Sequence, residues 1–251
     1  SGYSEKHFFG KDMADFHARN RRFYAAMLDA ADRAADGDAA VLARLADERK
    51  FFRGAWCESA KDYRAHGGKV FPIAAGETLT VRDFKCRGTL DPSDPPVEAK
   101  VSWSAMGLAF ELTAMTPEPK RLLARCRERD SAVWGDACFE IFVAPPSWKG
   151  PYLHLVVNPL GTIYDKKTFS AGYAVEFDAG ATAETEIGSD RWTAKVVIPW
   201  TNLGVEPKPG ARIPLNLART LENDGHDLKA HCASWNSAFH GAEIFNAIEL
   251  K

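Results

Sequence analysis

Between Ala137 and Val143 the chain alternates: Phe139, Ile141 and Val143 fall on one pleat face, and Cys138, Glu140 and Phe142 on the other. A period of two is that of a strand whose inner face meets a core. Tyr152 to Val157 is a second β-branched, apolar run, and the Pro-Pro-Ser turn between the two is part of a connection too short for a parallel crossover. The pair is therefore expected to be antiparallel. Further alternating runs, punctuated by Gly, Pro and Asp, predict strands near 79–84, 97–104, 107–114, 162–165, 174–177, 183–188, 191–198, 212–219, 231–235 and 244–249. Ala105-Met106-Gly107 and Gly188-Ser189-Asp190 read as hairpin turns, and Pro199 to Leu203 as one helical turn. This texture is that of a β-sandwich or barrel.

Before Gly68 the period changes. Met13, Phe16, Phe23, Met27 and Leu28 are spaced for an amphipathic helix from about Lys11 to Ala35, with Asp12 as its cap. Ala34 to Asp38 breaks it. Val41, Leu42, Leu45, Phe52 and Trp56 then mark a second helix reaching about Ala65, stopped by His66-Gly67-Gly68. Two helices joined this way form an αα-hairpin over residues 1–68, ahead of an all-β unit at 69–251. Its apolar stripe needs a partner, so the hairpin is expected to pack on the sandwich or to be the tail of an upstream domain.

A chain of 251 residues, 45% hydrophobic, is ample for a large core. The net charge of -2 gives none of the basic surplus that nucleic acid demands, so no polynucleotide partner is expected. No apolar run approaches the roughly 20 residues of a membrane span, and the start of the chain has no signal-type region. The abrupt start at Ser1 raises the expectation of an excised piece of a longer secreted protein. Five scattered cysteines without a C-x-x-C pair argue against a zinc knuckle or redox dithiol. Cys138 reads as a small packing residue.

Candidate chemistry gathers around the first strand pair. Trp134 and Asp136 stand at its entrance, in a stretch that a loop can present to solvent, and Glu140 lies further along. Asp136 and Glu140 are about 13 Å apart along extended chain, at roughly 3.3 Å per residue. That separation exceeds the carboxylate spacing of glycosidases, about 5 to 9.5 Å. Glu140 makes better sense as a single carboxylate accepting sugar hydroxyls; the plain alternative is a solvated strand residue. A second aromatic loop, Trp235-Asn236-Ser237-Ala238-Phe239-His240, follows near the C-terminus. Sugars stack their C–H faces on such rings while polar neighbours take the hydroxyls. Trp103, Trp192 and Trp200 are embedded in strand-like patterns and read as packing. The histidines, His154 among them, show no metal spacing and read as surface or packing residues. Glu222 to Asp227 is oxygen-rich but lacks the order of an EF-hand loop and reads as a turn. There is neither a nucleophile elbow nor a phosphate loop.

Five blocks, W-G-D-A-C-F-E-I-F-V from Trp134, V-V-N-P-L-G-T-I-Y-D from Val156, R-W-T-A-K-V-V-I-P-W-T-N-L-G from Arg191, I-P-L-N-L-A-R from Ile213 and S-W-N-S-A-F-H-G-A-E-I-F from Ser234, occur in order. Over about 71–251 they resemble carbohydrate-binding modules of family 9 and their relatives. The resemblance implies an all-β, jelly-roll-like antiparallel sandwich that grips an oligo- or polysaccharide without catalysis. It implies a ligand set of Trp134, Asp136, Glu140, Arg219, Trp235, Asn236, Phe239 and His240. In that set Trp134 is the first ring, Glu140 the carboxylate, and Phe239 or His240 the second ring. Two departures stand out: a basic residue of the family is replaced near Val156, and a Gln near Ala218 is absent, with Arg219 beside it as a substitute. Structural calcium is frequent in the family and stays open here as a bound ion, with no ligands assigned and no other cofactor expected. The resemblance also implies an extracellular or periplasmic accessory domain joined to a polysaccharide-processing enzyme upstream. A ligand-free docking sandwich and a glycosidase remain the alternatives, with a haem or redox role last.

Overall fold

The computed structural model describes residues 26–46, 68–86, 92–116, 118–146, 151–170, 173–221, 232–235 and 245–251. Two sheets make up the body. The smaller has the order β10 (Thr182–Ile187), β11 (Arg191–Pro199), β5 (Gly107–Met115), β4 (Val97–Ser104), β2 (Thr78–Val81). The larger runs β1 (Val70–Ile73), β14 (Asn246–Leu250), β12 (Arg212–Thr220), β6 (Cys138–Val143), β7 (Tyr152–Val157), β8 (Ile163–Ser170), β9 (Tyr173–Glu176). β13 (Cys232–Ser234) pairs with the second half of β12, and β3 (Lys85–Cys86) pairs with β13. Every pairing is antiparallel except β1 with β14, which is parallel. The all-β sandwich expected from the alternation is what the chain adopts.

Alternation decides which side chains meet between the sheets. Phe139, Ile141 and Val143 of β6 join Leu153, Leu155 and Val157 of β7 and Leu215 and Leu217 of β12 in the main core. Across from them β4, β5 and β11 contribute Val101, Phe110, Leu112, Trp192 and Val196. The Trp192 ring meets Phe139 at 4.3 Å between centroids, tying the two sheets together. Trp103 and Trp200 are buried as expected, and each finds a carbonyl for its indole N–H: Ile73 O at 2.9 Å and Ser104 O at 2.7 Å.

The expected hairpins form. Ala105 and Met106 make a two-residue turn, and Gly107 opens β5 opposite Ser104. A Cβ on Gly107 would lie 2.2 Å from the Ile198 carbonyl oxygen of β11, a backbone atom that cannot swing aside. Gly107→Ala should therefore push β11 off β5 and cost about 1–3 kcal/mol in a urea unfolding midpoint, the usual range for overpacking. An unchanged midpoint would refute this. β1 and β3 lay outside the expected strands: β1 is only four residues long and begins at the boundary assigned to the helical unit, and β3 is a two-residue strand.

In the N-terminal region residues 26–34 and 39–46 are helical, separated by a break at 35–38. Asp38 caps the second segment, its Oδ1 accepting from the Ala40 and Val41 amides at 2.9 and 3.1 Å. None of residues 26–46 is buried. The expected outer limits of both helices lie outside the described residues.

Candidate functional site

β6 and β7 are buried on both faces, so the outer face of the larger sheet is a second packed surface rather than a solvated one. Register arranges it in rows. One row runs Tyr164, Val156, Glu140, Ala218; the next runs Lys166, His154, Phe142, Asn216. Phe142, Ala144, Tyr152, Ala218 and Phe245 form one apolar cluster on this face, and Val133, Cys138, Val156 and Tyr164 form another.

Glu140 sits between these clusters with 6% of its side chain exposed. Its Oε2 lies 2.7 Å from His154 Nε2, and Thr220 Oγ1 donates to its Oε1 at 3.3 Å. An ionised carboxylate only accepts, so the tautomer that suits this contact is the one with its hydrogen on Nε2. The imidazole lies flat on Phe142, 4.6 Å between centroids at 11°, with its face crossed by Tyr164 at 5.6 Å.

Trp134 belongs to the 3-10 turn Val133–Gly135 just before β6. Buried Val133 anchors that turn, and the Trp134 ring projects outward, 49% exposed. It meets Tyr164 edge-on at 4.8 Å. Burial pushes the Tyr164 hydroxyl above the usual tyrosine range, against the pull of the Lys166 ammonium. That ammonium is itself held up by its contact with Glu176 and lies 5.5 Å from the centre of the Tyr164 ring.

The remaining expected residues go elsewhere. Asp136 is fully buried, and its Oδ2 accepts from the Arg125 and Cys126 amides at 3.0 and 2.9 Å and from Asn158 Nδ2 at 2.9 Å. It ties residues 125–126 to Asn158 at the end of β7 and does not reach the outer face. Arg219 pairs with Phe139 and so points between the sheets, opposite to Glu140; it donates to Ser93 Oγ and the Pro95 carbonyl at 3.1 and 2.8 Å. Trp235 is a core residue against Phe71, with 5.2 Å between centroids. The structure thus brings Trp134 and Glu140 to one face and separates Asp136, Arg219 and Trp235 from them. Asn236, Phe239 and His240 lie outside the described residues.

No family model matches the chain, and no curated protein matches it. Solved structures do. A candidate carbohydrate-binding protein from Bacteroides uniformis superposes with a TM-score of 0.58 at 14% identity, over 73% of this chain and 100% of that one. A family 9 carbohydrate-binding module from Caldicellulosiruptor kristjanssonii, in complex with cellotriose, gives 0.48 at 16% identity over 73% and 94%. A family 9 module from the same organism in complex with glucose gives 0.49 at 15% over 73% and 96%. The sandwich shares the fold of the Bacteroides protein.

Sequence patterns did not mark His154, Tyr164 or Thr220 as members of this face. The signal was the hairpin register: with Phe142 opposite His154, every second residue of β7 and β8 joins Glu140. Among the described residues no group of three or more His, Cys, Asp or Glu side chains gathers to hold a metal ion. The oxygen-rich segment 222–227 lies outside them. No helix among the described residues is long and apolar enough to cross a membrane.

Asp165 on β8 is a buried carboxyl away from this face. Its Oδ2 accepts from Arg129 Nη2 at 2.7 Å and the Ala179 amide at 2.6 Å. Burial nevertheless holds it above the usual carboxylate range, outweighing both donors. An acid whose folded pKa is raised contributes most at pH below its unfolded value, and that contribution is lost as pH rises through the folded one. Asp165→Asn should therefore compare better with the parent at about pH 7 than at about pH 4 in urea unfolding. The opposite order would show that Arg129 and Ala179 dominate.

Proposed function

We propose that the outer face around Trp134 and Glu140 binds a saccharide without catalysis. The observation that carries this reading is the exposed Trp134 ring, buttressed edge-on by Tyr164, on the same face as a hydrogen-bonded carboxylate two strands along from Tyr164. A pyranose with equatorial hydroxyls presents a flat C–H face to such a ring, and its rim hydroxyls donate to the carboxylate. The fold shared with a candidate carbohydrate-binding protein supports it. Asp136 is not the partner carboxylate a glycosidase would need, because it is buried and committed to backbone amides.

The finer reading follows the same line. On this reading the sandwich is an accessory domain of an extracellular or periplasmic polysaccharide-processing protein with an upstream catalytic domain, and the helical segments 26–34 and 39–46 belong to a separate N-terminal unit. Calorimetric titration with gluco-, xylo- and manno-oligosaccharides at millimolar concentration tests the reading. Heat that saturates with at least one series is expected, and none with any would overturn it.

A second reading is favoured by the 6% exposure of the Glu140 side chain: a sandwich that has lost its ligand and docks on a protein neighbour. Silence in the titration, with Trp134 fluorescence insensitive to every sugar, would shift the balance to it.

A further inference from the structure

On the outer face, the polar side chain that touches Glu140 from the neighbouring strand β7 is His154, at 2.7 Å. The imidazole cannot swing: Phe142 lies flat beneath it and Tyr164 crosses it at 73°. It is buried, with 10% of its side chain exposed, so water competes poorly for its Nε2 hydrogen. Glu140, by contrast, is a side chain with several rotatable bonds, whose free rotamers would have to be ordered when a ligand arrives. Thr220 reaches its other oxygen only at 3.3 Å, a longer and weaker contact. Among the described residues the charged and titratable groups around this pair come from β8 and its neighbours. Lys166 and Tyr164 come from β8, and Asp130 and Glu176 lie within electrostatic reach of Tyr164. Lys166 is committed to Glu176 and does not take the place of His154 at Glu140.

We infer that His154 is the positioning residue of the saccharide site. It holds Glu140 by one oxygen, fixes the carboxylate plane before ligand arrives, and leaves the remaining lone pairs of Glu140 for sugar hydroxyls. This rests on the saccharide reading above. A carboxylate offers about four acceptor directions, so two stay available once His154 and Thr220 are served. His154 does not touch the sugar; it acts through Glu140.

Two variants separate positioning from packing. His154→Gln keeps an amide N–H near the old Nε2 and loses the ring; His154→Phe keeps the ring on Phe142 and loses the donor. In the full chain, calorimetry should find H154Q within about threefold of the parent affinity and H154F weakened roughly tenfold or more, the scale of one charged hydrogen bond. The thermal midpoint of H154F should equal or exceed that of H154Q if the ring matters only for packing, so affinity and stability should rank in opposite orders. Affinity that simply follows stability would overturn the inference. A ligand-independent measurement covers the case in which H154F fails to fold: the ring 15N spectrum of the parent should show Nε2 protonated and protected, and a neutral ring protonated only at Nδ1 would equally overturn it. A parent that binds no saccharide removes the saccharide reading itself. A parent whose binding is lost in Trp134→Ala but whose H154Q and H154F rank the wrong way removes only the role of His154.

Discussion

Trp192→Ala is expected to destabilise the sandwich by about 3–5 kcal/mol, the range for deleting a large buried ring. Trp192 is fully buried on β11, paired with Ala114 on one side and Ile187 on the other, and its ring rests on Phe139 of the opposite sheet. Removing it opens a void at the contact where the two layers interlock, and the β-sheet backbone cannot collapse into it without breaking register. Loss on this scale consumes much of the roughly 5–15 kcal/mol that holds a domain folded. Trp192→Phe provides the contrast. The indole N–H of Trp192 finds no acceptor among the described residues, so the smaller ring removes an unpartnered donor while keeping most of the contact with Phe139. Its cost should be well below that of the alanine variant. Denaturant midpoints for the two settle the matter, and equal losses would overturn this account, because a ring kept against Phe139 would then contribute nothing.

Trp134→Ala should do the reverse: leave the unfolding midpoint nearly unchanged and abolish most saccharide affinity. The ring is 49% exposed and leans only its edge on Tyr164, so little buried area is lost with it. As the platform for a sugar it would be a hot spot, worth about 2 kcal/mol or more, which is roughly thirtyfold in affinity. Calorimetry and thermal melts on the same sample give both numbers. A titration unchanged within about twofold would place the ligand elsewhere on the molecule and leave the fold untouched.

Most strands were legible because a period of two survives wherever one face meets a core and the other does not, as in β4, β5 and β11. Alternation also gave the faces of β6 correctly, although it could not reveal that the second face is buried too, since that depends on what overlies it. β1 and β3 were missed for want of length: four and two residues are too few for a pattern to emerge, and their strand character comes from partners far along the chain. Of the residues expected to gather, only two of those described lie on one face. Trp134 and Glu140 share a face because the Val133–Gly135 turn just before β6 leans the Trp134 ring on Tyr164, which lies in the same row as Glu140. Arg219 was placed by its neighbour Ala218, and a single step along a strand reverses the face, so it ends between the sheets. His154 carried no motif; only the pairing of β6 with β7 sets it beside Glu140.

The parallel pairing of the first strand with the last has a mechanical corollary. Val70 stands beside Ala247 and Ile73 beside Leu250, with the Lys69 amide bonded to Asn246 Oδ1 and the Lys251 amide to the Ile73 carbonyl. Tension applied between residue 68 and residue 251 would draw these two strands past one another lengthwise. Their cross-links would be loaded together, in shear, and would have to yield together rather than unzip one at a time. Rupture of such a clasp is governed by an unfolding barrier rather than by equilibrium stability. A sandwich gripping a fibre while tethered by its ends would resist being pulled open along that axis.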